Sequence, residues 1–420
     1  MGQGSSSNKI HDSIGGFVAP GYESVKVMFE ENFRRGSDES SQLCVYVGEE
    51  LVVDLWSSTT IPSYTGDTLT NVFSSTKSVT SIVMACLVDQ GLMEYSDKIS
   101  KYWPEFAENE KGDITIADLM RHEAGLANMS EPLDVHDTLR ENIKKNAVGE
   151  VIARQKCKSK EKREYHAISR GWIANEIFRR VHPEGKTIGE YLETEISKPL
   201  DVDVFIGVPA SREEDYAPVK NFAFGKMIRE SMKCGARAID LNFGQLLSLL
   251  NEFRKMGQEE EVKAFKDYKD VDMSDIGAML NIDVVRRGES SSANGNCSAR
   301  GLAKLGAVMA NKGTFKGVKI LGDKGWEALH ADPTFFAMYE GWLPTNFTQG
   351  GVNKFEEEGG VGRDGYYGWY GYGGSVFEWN LEHKIGFAYT CTLLHWQDLF
   401  NDKGKRLQEE VVKCVQNLKK

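Results

Sequence analysis

The chain has 420 residues, a formal net charge of −11 and an apolar content of 40%, ordinary for a globular enzyme and enough for one large domain with an insertion or for two domains. The acidic balance argues against a nucleic-acid partner, because a phosphate backbone selects clustered Lys and Arg. Seven scattered cysteines without a Cys-x-x-Cys pair fit reduced thiols in a cytoplasmic-type compartment, and they make structural zinc a poor reading.

Residues 1–15 are polar and Gly/Ser-rich and read as a disordered leader. The opening Met1-Gly2-Gln3-Gly4-Ser5-Ser6 also fits the pattern for myristoylation of Gly2, which would allow peripheral membrane contact. No early apolar run is long enough for a secretory signal, and none anywhere is long enough for a membrane span. Tyr22, Val25, Met28, Phe29 and Phe33 then form the apolar stripe of a first helix, stopped near Gly36. Residues 43–47 and 51–55 flank a Gly48-Glu49-Glu50 turn and read as an antiparallel hairpin.

Val79, Ile82, Val83, Cys86 and Leu87 recur at the spacing of a buried helical face, with Gly91 as the end of that helix. Residues 114–126 read as a short helix capped by Thr115 and ending near Gly125. From about 130 to 300 the pattern is mostly helical and charged, with a Leu-rich stretch at 246–250 and no convincing run of alternating strands. Phe377 and Trp379 lead through a turn at 380–384 into Ile385, Phe387, Tyr389 and Cys391, spaced by two as in a half-buried strand. A last helix spans about 402–418. The expected fold is mixed α/β (α+β), with a sheet region from about 16–70 and 300–420 and a helical region from about 71–299.

The chemistry centres on Ser74-Ser75-Thr76-Lys77, which sets a hydroxyl and an amine three residues apart at the start of the apolar helix. A serine hydroxyl needs a base within reach, and lysine serves only when desolvation or a positive neighbour lowers its pKa. Spacing alone is weak evidence, since Ser6-Ser7-Asn8-Lys9 and Ser159-Lys160-Glu161-Lys162 repeat it without an apolar helix behind them. Two further clusters carry suitable chemistry. Tyr165-His166-Ala167 opens a helix marked by Ile168, Trp172, Ile173 and Ile177, and a phenol beside an ammonium can have its pKa lowered and shuttle a proton. His166 could touch substrate there, or simply pack. Trp369-Tyr370-Gly371-Tyr372-Gly373-Gly374-Ser375 is glycine-dense and enters the C-terminal hairpin, where an exposed N–H could help hold an oxyanion.

In this order the clusters resemble the serine β-lactamase and penicillin-binding-protein superfamily, in its class C-like branch that includes esterases. The resemblance covers roughly residues 16–415 and takes in Leu51-Val52-Val53-Asp54-Leu55-Trp56, the His122-x-x-Gly125-Leu126 segment and Ser298-Ala299-Arg300-Gly301-Leu302. It implies a β-lactamase/transpeptidase-like fold, an antiparallel sheet flanked by helices with an inserted helical region. It further implies that Ser74 attacks a carbonyl, that Lys77 and Tyr165 exchange its proton, and that the N–H groups of Ser74 and Tyr372 hold the oxyanion. Trp369-x-Gly371 stands where lactamases carry Lys-x-Gly, and Ala167 where many relatives carry Asn or Ser. Both departures favour a neutral ester or amide over a β-lactam.

The expected activity is therefore hydrolysis of a small-molecule ester, amide or lactam without cofactor or metal. The alternatives are a β-lactamase, a D-amino-acid peptidase, or a catalytically silent scaffold or polymerising protein. Gly360-Val361-Gly362-Arg363-Asp364-Gly365 spells a dinucleotide pattern but enters Tyr366-Tyr367-Gly368 instead of a helix and reads as a loop. The chain lacks Gly-x-Ser-x-Gly and any His-x-His or His-Glu-x-x-His spacing. Arg154, Lys156, Lys158, Lys160, Lys162 and Arg163 form a basic run ahead of Tyr165 that reads as a solvated loop.

Overall fold

The computed structural model describes residues 14–158, 162–221, 264–338, 343–356, 363–394 and 402–420. Gly2, the Ser6 and Ser159 repeats of the serine–lysine spacing, Lys160, residues 246–250 and the first glycines of the 360–365 pattern lie outside these.

Among the described residues nine strands build one antiparallel sheet: β1 (Gly15–Val18), β2 (Ser40–Val47), β3 (Glu50–Ser58), β4 (Thr334–Met338), β5 (Leu343–Phe347), β6 (Asn353–Lys354), β7 (Tyr366–Tyr370), β8 (Val376–Asn380) and β9 (Ile385–Cys391). Their order is β1-β3-β2-β9-β8-β7-β6-β5-β4, so the two ends of the chain meet where β2 pairs with β9, from Ile385↔Val47 to Cys391↔Ser41. The sheet takes in Gly15, the last residue assigned to the leader, through Gly15↔Trp56.

Among the described residues five helices are twelve residues or longer: α1 (Glu23–Arg34), α2 (Thr76–Asp89), α3 (Ser169–Val181), α4 (Ala299–Ala310) and α5 (Asp402–Leu418). They correct the reading of β9 as half-buried, because every residue of that strand is buried. Ile385, Phe387, Tyr389 and Cys391 pack with α1 and α5, for example on Phe29 and Val411. The intervening Gly386 and Ala388 face α4. A Cβ on Gly386 would meet the Ala303 carbonyl and the Ala307 amide, so this face is small because the helix backbone lies directly on it. Small residues hid a second buried face from a search for apolar alternation.

Ser298 caps α4 by accepting from the Gly301 amide at 3.1 Å. One turn in, Arg300 Nε donates to both Asp54 oxygens on β3 at 2.9 and 3.0 Å and its guanidinium lies over Trp56. That interaction joins two of the sequence segments that carry the superfamily resemblance.

The other layer surrounds α2, whose residues from Thr76 to Val88 are all buried. A helix enclosed on every side belongs in a core and not on a surface. The middle of the chain is mostly helical but also carries short strands, which the sequence pattern does not show. Leu69–Asn71, Val204–Ile206, Tyr216–Ala217 and Gly295–Cys297 form a four-stranded sheet with Gly295–Cys297 between the first two. Strands of two or three residues are too short to show a period of two. The short helix after Thr115 covers Ile116–Met120 with its capping box to Asp118, and ends before Gly125.

Candidate active site

Ser74 lies on a 3-10 turn, Phe73–Ser75, between the strand Leu69–Asn71 and α2. Phe73 ahead of it has φ 47°, a left-handed conformation that costs free energy in a residue with a Cβ. The turn is held on both sides. The Phe73 amide donates to Asn71 Oδ1 at 2.8 Å, the Val72 amide to the Gly295 carbonyl at 2.8 Å, and the Gly295 amide to Thr76 Oγ1 at 2.8 Å. The strain therefore sits in the residue that presents the serine.

Lys77, on the first turn of α2, is buried and its Nζ lies 3.3 Å from Ser74 Oγ. Nζ donates to the carbonyls of Ala167 at 2.6 Å and Ser292 at 3.1 Å. Burial pushes its pKa well below the usual lysine value, and the Arg170 charge adds to the shift. A neutral amine has two N–H bonds and one lone pair. In that form the two carbonyls would take both N–H bonds and leave the lone pair for the Ser74 hydroxyl, whereas an ammonium would donate to Ser74 Oγ as well.

Tyr165 sits in the loop ahead of α3, not on the helix, which begins at Ser169. Its ring centroid is 4.8 Å from Lys77 Nζ, and its hydroxyl accepts from Trp369 Nε1 at 2.9 Å. The phenol pKa is raised, not lowered as the sequence suggested, because desolvation outweighs the opposing hydrogen bonds from Ser74 and Trp369 and the Arg170 charge. Lys77, whose own pKa is pushed down by burial, is not among the groups that lower the phenol.

His166 is fully buried and both ring nitrogens are occupied: Nε2 accepts from the Leu126 amide at 3.0 Å and Nδ1 donates to the Glu164 carbonyl at 2.6 Å. Its backbone amide donates to His122 Nδ1 at 2.9 Å. The expectation that it touches substrate is corrected: no ring nitrogen is left to do so, and its role is to tie the Tyr165 loop to the His122–Leu126 segment. Burial holds the His166 imidazole down at about 4.

Trp369 on β7 is also enclosed, packed by Phe347, Tyr370 and Phe355. It acts on the site through its indole N–H. Gly371 follows β7 where a Cβ would meet Ser375 Oγ, the Val72 carbonyl and Phe73 Cβ, so only glycine lets this edge approach the serine turn. Tyr372 lies next to that turn, its ring 5.7 Å from Phe73. Among the described residues no backbone carbonyl outside the regular elements accepts from the Ser74 or Tyr372 amide.

Sequence reasoning missed four groups here. The Ser292 carbonyl has no side-chain signature. His122 entered only as a motif letter, yet its ring lies 4.8 Å from that of Tyr165. Arg170 is buried beneath the site. Arg163, read as part of a solvated basic run, is buried and donates to Glu123, Thr334 and Thr345. Among the described residues no group of three or more His, Cys, Asp or Glu could hold a metal.

The Beta-lactamase family model matches residues 29–410. The chain belongs to the Beta-lactamase family. It is 28% identical over 292 residues to the esterase/beta-lactamase LipL of Mycobacterium tuberculosis, a match covering 66% of this chain and 60% of that protein. The chain thus spans about 60% of the length of this curated relative. Among solved structures, a family VIII carboxylesterase superposes with TM-score 0.75 at 25% identity, covering 96% of this chain and 99% of its own. A penicillin-binding-protein homologue from Caulobacter crescentus superposes with TM-score 0.72 at 24% identity, with coverage of 96% and 99%. This Beta-lactamase family member therefore has the β-lactamase/transpeptidase-like fold, with a mixed α/β build and an antiparallel sheet.

Proposed function

We propose that the protein is a serine hydrolase that works through an acyl-enzyme on carboxylic esters, with residues 16–420 as its catalytic domain. The observation that carries this reading is the buried Lys77 amine, both N–H bonds taken by carbonyls, 3.3 Å from the Ser74 hydroxyl. Ser74 Oγ bonds to the ester carbonyl carbon while its proton passes to Lys77 Nζ. The carbonyl oxygen becomes an oxyanion facing the amides of Ser74 and Tyr372. As the C–O bond breaks, the alkoxide takes a proton through the Tyr165 hydroxyl, which Lys77 replenishes. Water then attacks the acyl carbon, gives its proton to the same pair and frees Ser74.

The substrate preference rests on what surrounds this centre. Where a lactamase offers a lysine to a β-lactam carboxylate, this chain has Trp369, whose indole is turned to Tyr165. At Ala167 only a backbone carbonyl is engaged, by Lys77. Missing polar partners can lower preference by about 10²-fold. The test is kcat/KM for p-nitrophenyl acetate or butyrate against nitrocefin. Esters are expected to exceed nitrocefin; efficient nitrocefin hydrolysis with negligible esterase activity would return the protein to the β-lactamases.

Location is a further part of the proposal. A reducing, cytoplasmic compartment fits the free cysteines, most of them buried. No helix among the described residues is long and apolar enough to cross a membrane. Acylation at Gly2 would add weak membrane affinity, since one chain gives marginal binding. Incorporation of an alkynyl myristate that is lost in Gly2→Ala would support it.

A further inference from the structure

Arg170 opens α3 and is 1% exposed, yet among the described residues it has no carboxylate partner. Its guanidinium donates to Ser81 Oγ at 2.6 Å, one turn along α2 from Lys77, and lies 3.4 Å from His122 Nε2, while its Nε finds no acceptor. Removing a cation from water without a counter-ion is costly, and such groups are ordinarily paired. Neither of its partners carries a negative charge to cancel the field.

We propose that Arg170 is a positioning residue of the site, a fixed buried cation that keeps Lys77 in its amine form and favours negative charge on Tyr165 as the proton is relayed. This rests on the hydrolase reading above. The geometry is that of a single buried cluster: Arg170 touches His122, the tilted His122 ring lies against Tyr165, and the Tyr165 ring faces Lys77 Nζ. The Arg170 charge acts on each titratable neighbour in the direction a cation must, though burial is larger everywhere. Burial is the main cause at Lys77, His122 and His166, and the Arg170 charge pushes each of them further down; at Tyr165 it opposes the upward pull of burial.

The surrounding charges leave this field standing. Tyr95 faces Arg170 from the segment after α2, and Arg163 adds positive charge toward His122. Tyr370 faces Tyr165 from β7, with Arg363 and Glu378 behind it paired at 3.3 Å. Glu123 is taken by Arg163 at 2.6 Å.

Two variants test the charge by different changes. Arg170→Gln removes it and keeps a donor for Ser81; Ser81→Asp leaves the arginine and sets a carboxylate on it. Each is expected to raise the Lys77 pKa, moving the acid limb of kcat/KM for p-nitrophenyl acetate up by about one pH unit, about tenfold at a fixed pH on that limb. Arg170→Lys is expected to restore much of the wild-type limb. A purely structural role would lower kcat at every pH and leave the limb in place, and that result in either folded variant overturns the inference alone. A wild-type protein that neither turns over ester nor labels with a fluorophosphonate overturns the hydrolase reading and this inference with it.

Discussion

Ser74 and Lys77 are set against each other by a single turn of chain, whereas Tyr165 is brought to them by partners as distant as Trp369, 204 residues away. The first pair depends on the 3-10 turn and the start of α2. The tyrosine depends on four separate tethers: Trp369 on its hydroxyl, His122 against its ring, and His166 and Arg163 as anchors on either side. Local geometry fixes the proposed nucleophile and base; tertiary packing brings up the proposed proton relay. Damage far from the serine should therefore reach the chemistry through Tyr165.

The largest effects are expected inside the site. Lys77→Ala and Tyr165→Phe should each lower kcat by about 10²–10⁴-fold, the range for a positioned acid–base group. The double variant should lose far less than the product of the two, because the pair acts as a unit. Near-wild-type turnover in Tyr165→Phe would remove the tyrosine from the relay and leave the local half of the site sufficient.

Next comes the tether that lies farthest from the reacting atoms. Arg163→Ala strips Glu123, Thr334 and Thr345 of a shared donor and should cost about 2 kcal/mol of stability in chemical denaturation. Because the loop then loosens around Tyr165, kcat should fall about tenfold with KM little changed. An unaltered kcat would mean that this anchor is irrelevant to the relay. Trp369→Phe is milder: it keeps an aromatic ring but takes the N–H from the phenol, for a loss of about 1 kcal/mol in the barrier, read as kcat.

The effect with the least bearing on catalysis concerns pH and stability. Burial holds His166 and His330 at about 4, below their ordinary 6.5. Between those values the unfolded chain takes up protons that the native chain refuses, so stability should fall as pH drops from 6.5 toward 4 and be indifferent to these groups above 6.5. The slope is at most about 1.4 kcal/mol per pH unit per histidine. His330→Gln should flatten the decline in Tm, since a glutamine can still meet Trp379 and the Trp326 carbonyl.

What was legible in the sequence follows the same division. The hairpin of β2 and β3, the first and last helices and the Ser74–Lys77 start of α2 all rest on periods and turns within about twenty residues, and all are present. Gly371 was visible as a glycine at a strand edge, though its reason, the close approach of Val72 and Phe73, was not. Arg163 and Arg170 could not be read, because nothing local separates a buried arginine from a solvated one. The second buried face of β9 was hidden by Gly386 and Ala388, small residues that mark a helix backbone lying close and not solvent. His166 and Trp369 stood out in the sequence, but that both are buried with their ring nitrogens bonded to protein groups was not legible there.

The most direct test of the central claim is peptide mapping after reaction with a fluorophosphonate probe, in wild type and in Ser74→Ala. The adduct is expected on the peptide containing Ser74 in the wild type and absent from the folded variant, with Ser75 unmodified in both. An adduct that persists in Ser74→Ala, or that maps to another residue in the wild type, would contradict the assignment of Ser74 as nucleophile and the mechanism built on it.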